Sequence, residues 1–412
     1  MRRLTLLLTC TLLAVPGGTL AQDLPESSPQ AIAAHAEGLR AYLAQDYRAA
    51  IPHFLRAHEL DPTFYVPLFV AALNAGNAGM TATADSLWDV VAKNRSHFSD
   101  YYQRLIDIYV MRRNGGDWAK SMELARSVAM DYPGTKANYN YALWSNSDGR
   151  PREALEALTR LDPDKEPMKG WFSYFAVKCN ALHWVGDYAG ELQCARDAVQ
   201  RFPDRGAAHY FVAEALAAQG RGPEASEALE EALKRPEKLA GYSPGAMHGA
   251  LGLEMLTHGC GEDIADGHLA KAVAFYEALP ADEAEANAMR RQQAFWLYAN
   301  GDYQKAYQKL QDIDADLGSI WDKGYLGVTA ALAGNRTKAE EVRTAFLAGE
   351  ITPRAEVQHY WAALLSAALD ERDAAAAHFK QTWSNVNSHA EPVLLLKMGS
   401  HPAFQEYVKP RG

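Results

Sequence analysis

The chain has little of what staples, anchors or marks a familiar active site. Four cysteines occur in 412 residues. One, Cys10, lies in an apolar leader. The other three, Cys179, Cys194 and Cys260, are odd in number and irregular in spacing, which argues against a disulfide framework and leaves stability to packed helices. No stretch after the leader approaches the ~18 uncharged apolar residues that a membrane-spanning helix needs. Positive charge is short as well: 41 Lys and Arg stand against 51 Asp and Glu, a net charge of −10, and no basic stripe interrupts the acidic surface. Nucleic acid and anionic membranes are therefore not expected partners. The sequence holds no Gly-rich phosphate loop, no H-E-x-x-H and no G-x-S-x-G, so the enzyme classes those motifs define are not expected. Nor does it hold a low-complexity tract, and a hydrophobic content of 48% is that of a folded protein.

What is there begins with export. Residues 1–21 read as a secretory signal: Arg2 and Arg3, an apolar run over 4–15, then Thr19-Leu20-Ala21 before Gln22. Cleavage before Gln22 would remove two positive charges and place the mature chain in the periplasm or the medium. Leu7-Leu8-Thr9-Cys10 loosely resembles a lipid-attachment signal, but threonine before the cysteine and the short apolar region ahead of it favour simple cleavage. A polar linker over 22–30 follows.

The remainder copies one unit. Over 45–62, reading QDYRAAIPHFLRAHELDP, apolar or small residues fall at Tyr47, Ala50, Ile51, Phe54, Ala57 and Leu60. That spacing puts one stripe on a helix, and Asp61-Pro62 ends it. A second helical segment over 31–43 precedes it, and the small residues Gly38, Ala50 and Ala57 would let two helices approach closely while Phe54 fills the gap to the next pair. Positions equivalent to Ala50 recur at Ala84, Ser121, Ala154, Glu191, Ala225, Ala272, Ala306, Ala339 and Ala375, in steps of 33 to 37 residues with one step of 47. Turns such as Gly186-Asp187-Tyr188 and Gly301-Asp302-Tyr303 keep the same register.

On these residues the unit resembles a tetratricopeptide repeat, whose period is 34 residues. The resemblance implies an all-α, right-handed superhelical solenoid of about ten helical hairpins over 31–392, with an irregular insertion at 237–261 and a C-terminal capping segment over 393–412. The segments 151–163, 170–203 and the closing HPAFQEYV further resemble tetratricopeptide arrays attached to bacterial signalling proteins. There the array follows a kinase, DNA-binding or propeller domain. Here a leader precedes it, so no enzyme activity is inherited.

Family groove positions fall on Tyr139, Asn180, His183, Trp184, Tyr210, Glu214, Arg291, Phe295 and Tyr298. Aromatic and arginine side chains there imply a concave surface for a protein or peptide partner, although large aromatics pack between repeats as readily. Relatives that clamp a terminal carboxylate use lysines and asparagines; Tyr139, Asn180 and Tyr210 stand in those places, so that ligand is not expected. The insertion carries the one metal-like group, His248, His258 and Cys260, of which His258-x-Cys260 alone has ligand spacing. Paired carboxylates such as Glu230-Glu231, Glu340-Glu341 and Asp282-Glu283 read as solvated helix faces. The expectation is a non-enzymatic exported scaffold without a cofactor, able to self-associate through its ends. The alternative is a metal-dependent or hydrolytic enzyme sited at 237–263.

Overall fold

A computed structural model describes residues 27–113, 117–235, 237, 242–280, 287–313, 320–382 and 391–407. The leader with Cys10, most of the linker, the turn at 114–116, the carboxylates of 282–285 and the final residues from 408 lie outside the described residues. Among those described there are 22 α-helices, one 3-10 turn (Arg95–His97) and no strand. The chain divides into two compact units. One comprises the described residues up to Tyr141 together with Ala157–Tyr174; the other comprises Ala142–Glu156 and the described residues from Phe175 on.

In the first unit, helix Pro29–Leu43 pairs with Tyr47–Leu60, Val66–Asn77 with Thr81–Lys93, and Asp100–Arg113 with Trp118–Asp131. The first helix starts earlier than the sequence suggests. Ser28 Oγ accepts a hydrogen bond from the Ala31 amide at 3.2 Å, and Pro29 takes the first helical position, where a missing N–H costs nothing. Pro29 and Gln30 are therefore helix, not linker. Gly38 is required by close approach: a Cβ there would meet ring atoms of Phe54 at 2.7 to 2.9 Å. His35 is buried between the rings of Phe54 and Phe64, each 5.2 Å away, and burial pulls its imidazole down to about 4, so it is neutral at pH 7.

In the second unit the pairs are Ser173–Trp184, which belongs to it from Phe175 on, with Tyr188–Arg201, Gly206–Ala218 with Gly222–Leu233, and Pro244–His258 with Glu262–Glu277. Asn287–Ala299 with Tyr303–Gln311, Ile320–Leu332 with Arg336–Leu347, and Ala355–Ala368 with Arg372–Phe379 continue the series. Two short helices, Pro392–Met398 and Pro402–Tyr407, bury Val393, Leu394, Met398 and Phe404 against the last pair. The stretch expected as an irregular insertion is, from Pro244 to His258, a regular 15-residue helix. Its glycines misled because they mark packing, not looping. Gly245, Gly249 and Gly252 recur at helical spacing, and a Cβ on each would strike Phe275 and Tyr276, Trp296, or Leu269 and the Ala265 carbonyl.

Every residue of the Ala50 register is buried: Ala84, Ser121, Ala154, Ala225, Ala272, Ala306, Ala339 and Ala375, and also Glu191. Nine of these ten places, counting Ala50, hold alanine or serine because two helix backbones approach there. Glu191 puts a carboxylate into that narrow seam.

Candidate functional site

Glu191 has a partner across its own hairpin. Gly186, at φ 78°, turns the chain tightly after Ser173–Trp184, and Asp187 caps the next helix by accepting from the Gly190 amide at 2.9 Å. The turn brings His183, in the last turn of one helix, against Glu191, in the first turn of the other. His183 Nδ1 donates to Glu191 Oε2 at 3.0 Å. Both helix dipoles favour this placement, a cation at a C-terminus and an anion at an N-terminus.

The same two helices are cross-linked by a Cys179–Cys194 disulfide, with Cα atoms 5.6 Å apart. This corrects the expectation that packed helices hold the chain without a disulfide: the odd cysteine is Cys260, whose thiol donates to the Ala217 carbonyl at 3.2 Å. Cys179 occupies the place of Gly38, and Ala195 stands where Phe54 would. Cys179 precedes His183 by four residues and Cys194 follows Glu191 by three, so the bond lies on the faces that carry the His–Glu pair.

A third helix completes the cluster. Glu254 and His258, four apart on Pro244–His258, share one face, and Glu254 Oε1 lies 3.3 Å from His183 Nε2 and 2.8 Å from His258 Nε2. His183, Glu191 and Glu254 are buried, and His258 is nearly so. Tyr188 sets its ring at 5.5 Å from His183 and 5.1 Å from His258. Burial alone would lower the His183 imidazole, but the Glu254 carboxylate and the hydrogen bond and charge of Glu191 outweigh it and hold it at about 10. Glu214, on Gly206–Ala218, is pushed up to about 8 by burial and by the negative charge of Glu191. One imidazolium cannot hold three neighbouring carboxylates ionised, so Glu214 keeps its proton at pH 7.

The metal-like group read from the sequence is dispersed. His258 joins Glu254 and His183, and Cys260 faces a carbonyl. His248 Nδ1 lies 2.9 Å from Nδ1 of His268, and His268 Nε2 lies 2.9 Å from Ser226 Oγ. Ser226 donates to the Gly222 carbonyl, so its oxygen accepts from His268 Nε2–H, and His248 donates to His268. Burial lowers both imidazoles, His248 to about 4, and this chain is neutral at pH 7.

Paired helices recur at the sequence period, and the small-residue register is buried in every pair. The hairpins are tetratricopeptide-like. Comparison with solved structures finds matches at low similarity. The crystal structure of the P58(IPK) TPR domain is 12% identical, with a TM-score of 0.20 over 90% of this chain and 99% of that one. The structure of Naa15/Naa10 bound to HypK-THB is 13% identical, with a TM-score of 0.26 over 92% of this chain and 64% of that one, just under two thirds of its length. Scores this low carry no functional information. No protein-family model and no curated protein matches the chain.

Within the tetratricopeptide-like hairpins the groove list separates by burial. Tyr139, in the first unit, and Trp184, Tyr210 and Tyr298, in the second, are buried. They pack inside their units rather than standing on an open surface, where a large ring gains most from the helices that close over it. His183 belongs to the cluster above. Asn180 is exposed, while Glu214, Phe295 and Arg291 are partly exposed, the last paired with Asp322 at 2.7 Å.

Tyr298 also anchors a carboxylate that sequence patterning missed. Its hydroxyl donates to Glu391 Oε1 at 2.9 Å and accepts from the Val393 amide, and Tyr325 donates to Glu391 Oε2 at 3.2 Å. Burial pushes Glu391 up to about 7 despite these two donors. Because the folded state binds the proton more tightly than the unfolded chain, the stabilisation is present below pH ~4.5 and is lost as pH rises toward 7. The loss amounts to about 3 kcal/mol. Urea titrations at pH 4.5 and 8 on the wild type and Glu391→Gln should show a fall in stability about 3 kcal/mol larger in the wild type than in the variant. An equal pH response in both would refute the assignment.

Proposed function

We propose that the protein is exported and serves, without catalysis, as a scaffold that holds a protein or peptide partner. The observation that carries export is the Cys179–Cys194 bond, since disulfides persist in oxidising compartments and are rare in the cytosol. It agrees with the leader read at 1–21, with cleavage before Gln22. The scaffold reading rests on the stacked hairpins, an architecture that spends its length on surface rather than on one enclosed pocket.

The partner contacts are three of the groove residues that keep exposure, Asn180, Arg291 and Phe295, together with Trp321. The Trp321 ring is 47% exposed, a large aromatic on the helix that also carries Asp322, the partner of Arg291. Aromatic and arginine side chains dominate interface energetics. Affinity capture from the native envelope fraction, with intact mass to locate the mature N-terminus, tests both halves of this reading. Trp321→Ala, assayed well below its melting temperature because the ring also packs against Tyr360 and Trp361, should retain the captured partner at least tenfold less well than Glu340→Ala. Equal retention by the two variants would remove Trp321 from the interface, and an intact mass showing an uncleaved leader would remove export.

A further inference from the structure

The cluster of His183, Glu254 and His258 has the form of an ion site. We propose that these three side chains bind one divalent transition-metal ion through His183 Nε2, His258 Nε2 and a Glu254 carboxylate oxygen, with Glu191 orienting His183 from behind.

Donors about 2.0–2.1 Å from a tetrahedral zinc lie roughly 3.3 Å from one another. Here the Glu254 oxygen is 3.3 Å from one imidazole nitrogen and 2.8 Å from the other, and all three donor atoms lie within 4.8 Å of each other. A small contraction of three side chains would seat an ion, with no backbone movement. Both imidazoles present Nε2, and the remaining nitrogen of His183 is committed to Glu191 at 3.0 Å. A carboxylate on the far nitrogen is what fixes the tautomer and ring orientation of a metal-bound histidine.

Local folding does not require this arrangement. A hairpin that packs through alanine at this register gains nothing by putting Glu191 there, and a buried carboxylate is costly unless something compensates it. The same is true of Glu254, buried on a helix where leucine would fill the space. Burying two carboxylates and two imidazoles around one point becomes economical when a dication sits between them. Two histidines and a carboxylate suit zinc and also ferrous iron, and three protein donors leave a coordination position for water or a partner's side chain. The ion would tie hairpin 173–201 to helix Pro244–His258, past the intervening hairpin, within one unit.

The test uses the full mature chain without an affinity tag, stripped with chelator and dialysed. Calorimetric titration with zinc, and anaerobically with ferrous iron, should give saturation at one equivalent for at least one of the two, and that ion should raise the melting temperature. Glu191→Gln should weaken binding about 10–100-fold, and His258→Ala should abolish the saturable phase, whereas His248→Ala and Cys260→Ala should bind as the wild type does. Cobalt added to the unmodified protein supplies a readout that does not depend on any variant folding: intense visible bands of a low-coordinate nitrogen and oxygen site are expected. Absence of a saturable phase in the wild type for both ions, unchanged binding in a folded His258→Ala, or loss of binding in His248→Ala would each overturn the site.

Discussion

Tyr298→Ala should destabilise the second unit by about 3–5 kcal/mol, the cost of emptying a large aromatic site in a packed interior. The ring is 1% exposed, and its neighbours Phe295 and Tyr325 touch it at 6.1 and 5.8 Å. Truncation also takes a donor from Glu391 and an acceptor from the Val393 amide, so the closing helix Pro392–Met398 loses its tie to the array. For a unit of this size the melting temperature should fall by roughly 6–20 °C. Tyr298→Phe separates the two contributions, since it keeps the ring and removes the hydroxyl. It should cost about 1–3 kcal/mol, the penalty for leaving buried groups unsatisfied. Differential scanning calorimetry on both variants decides between packing and ligand contact. If Tyr298→Ala melts with the wild type but no longer captures the partner, the ring belongs to a binding surface after all.

Reduction of Cys179–Cys194, or the double substitution Cys179→Ala with Cys194→Ala, should cost about 3 kcal/mol. The bond closes a loop over a sequence separation of 15, and the loss comes mainly from the extra freedom returned to the unfolded chain. The melting temperature should drop by about 6–12 °C. Cys260→Ala, which removes the unpaired thiol, should not reproduce that drop. The cross-link also holds the register in which His183 meets Glu191, so the reduced protein should show a weaker metal-dependent rise in melting temperature than the oxidised one. Non-reducing peptide mapping that finds Cys179 and Cys194 alkylated after isolation from an exporting host would contradict the pairing and take away the structural support for an oxidising compartment.

The two largest effects sit where sequence and structure parted. The all-α fold and the hairpins were legible because they follow from local rules repeated many times. A 3–4 apolar spacing, a turn glycine or an Asp-Pro stop acts within a few residues, and ten copies of one register leave little room for another reading. Gly38 as a place of close helix approach was legible for the same reason, but that it is the Phe54 ring of its own hairpin that closes on it came only from the structure.

The cysteines and the cluster depended on what each hairpin face meets. Counting three cysteines argued against pairing, but the count cannot say that Cys179 and Cys194 face each other across an antiparallel turn. A disulfide is decided by two Cα positions, not by parity. The large aromatics were assigned outward by family position, whereas burial of a ring is settled by the helices that close over it from other hairpins.

The sharpest signal was visible and unread. Glu191 stood alone in a register of alanine and serine, and a carboxylate in a seam between backbones asks for a partner. By itself the sequence determined the repeat, its register and most of its helices, with Pro244–His258 the exception. Tertiary structure alone decided that His183, Glu254 and His258 converge, because donors 71 and 75 residues from His183 come within 4.8 Å of it through packing between hairpins that no local pattern encodes.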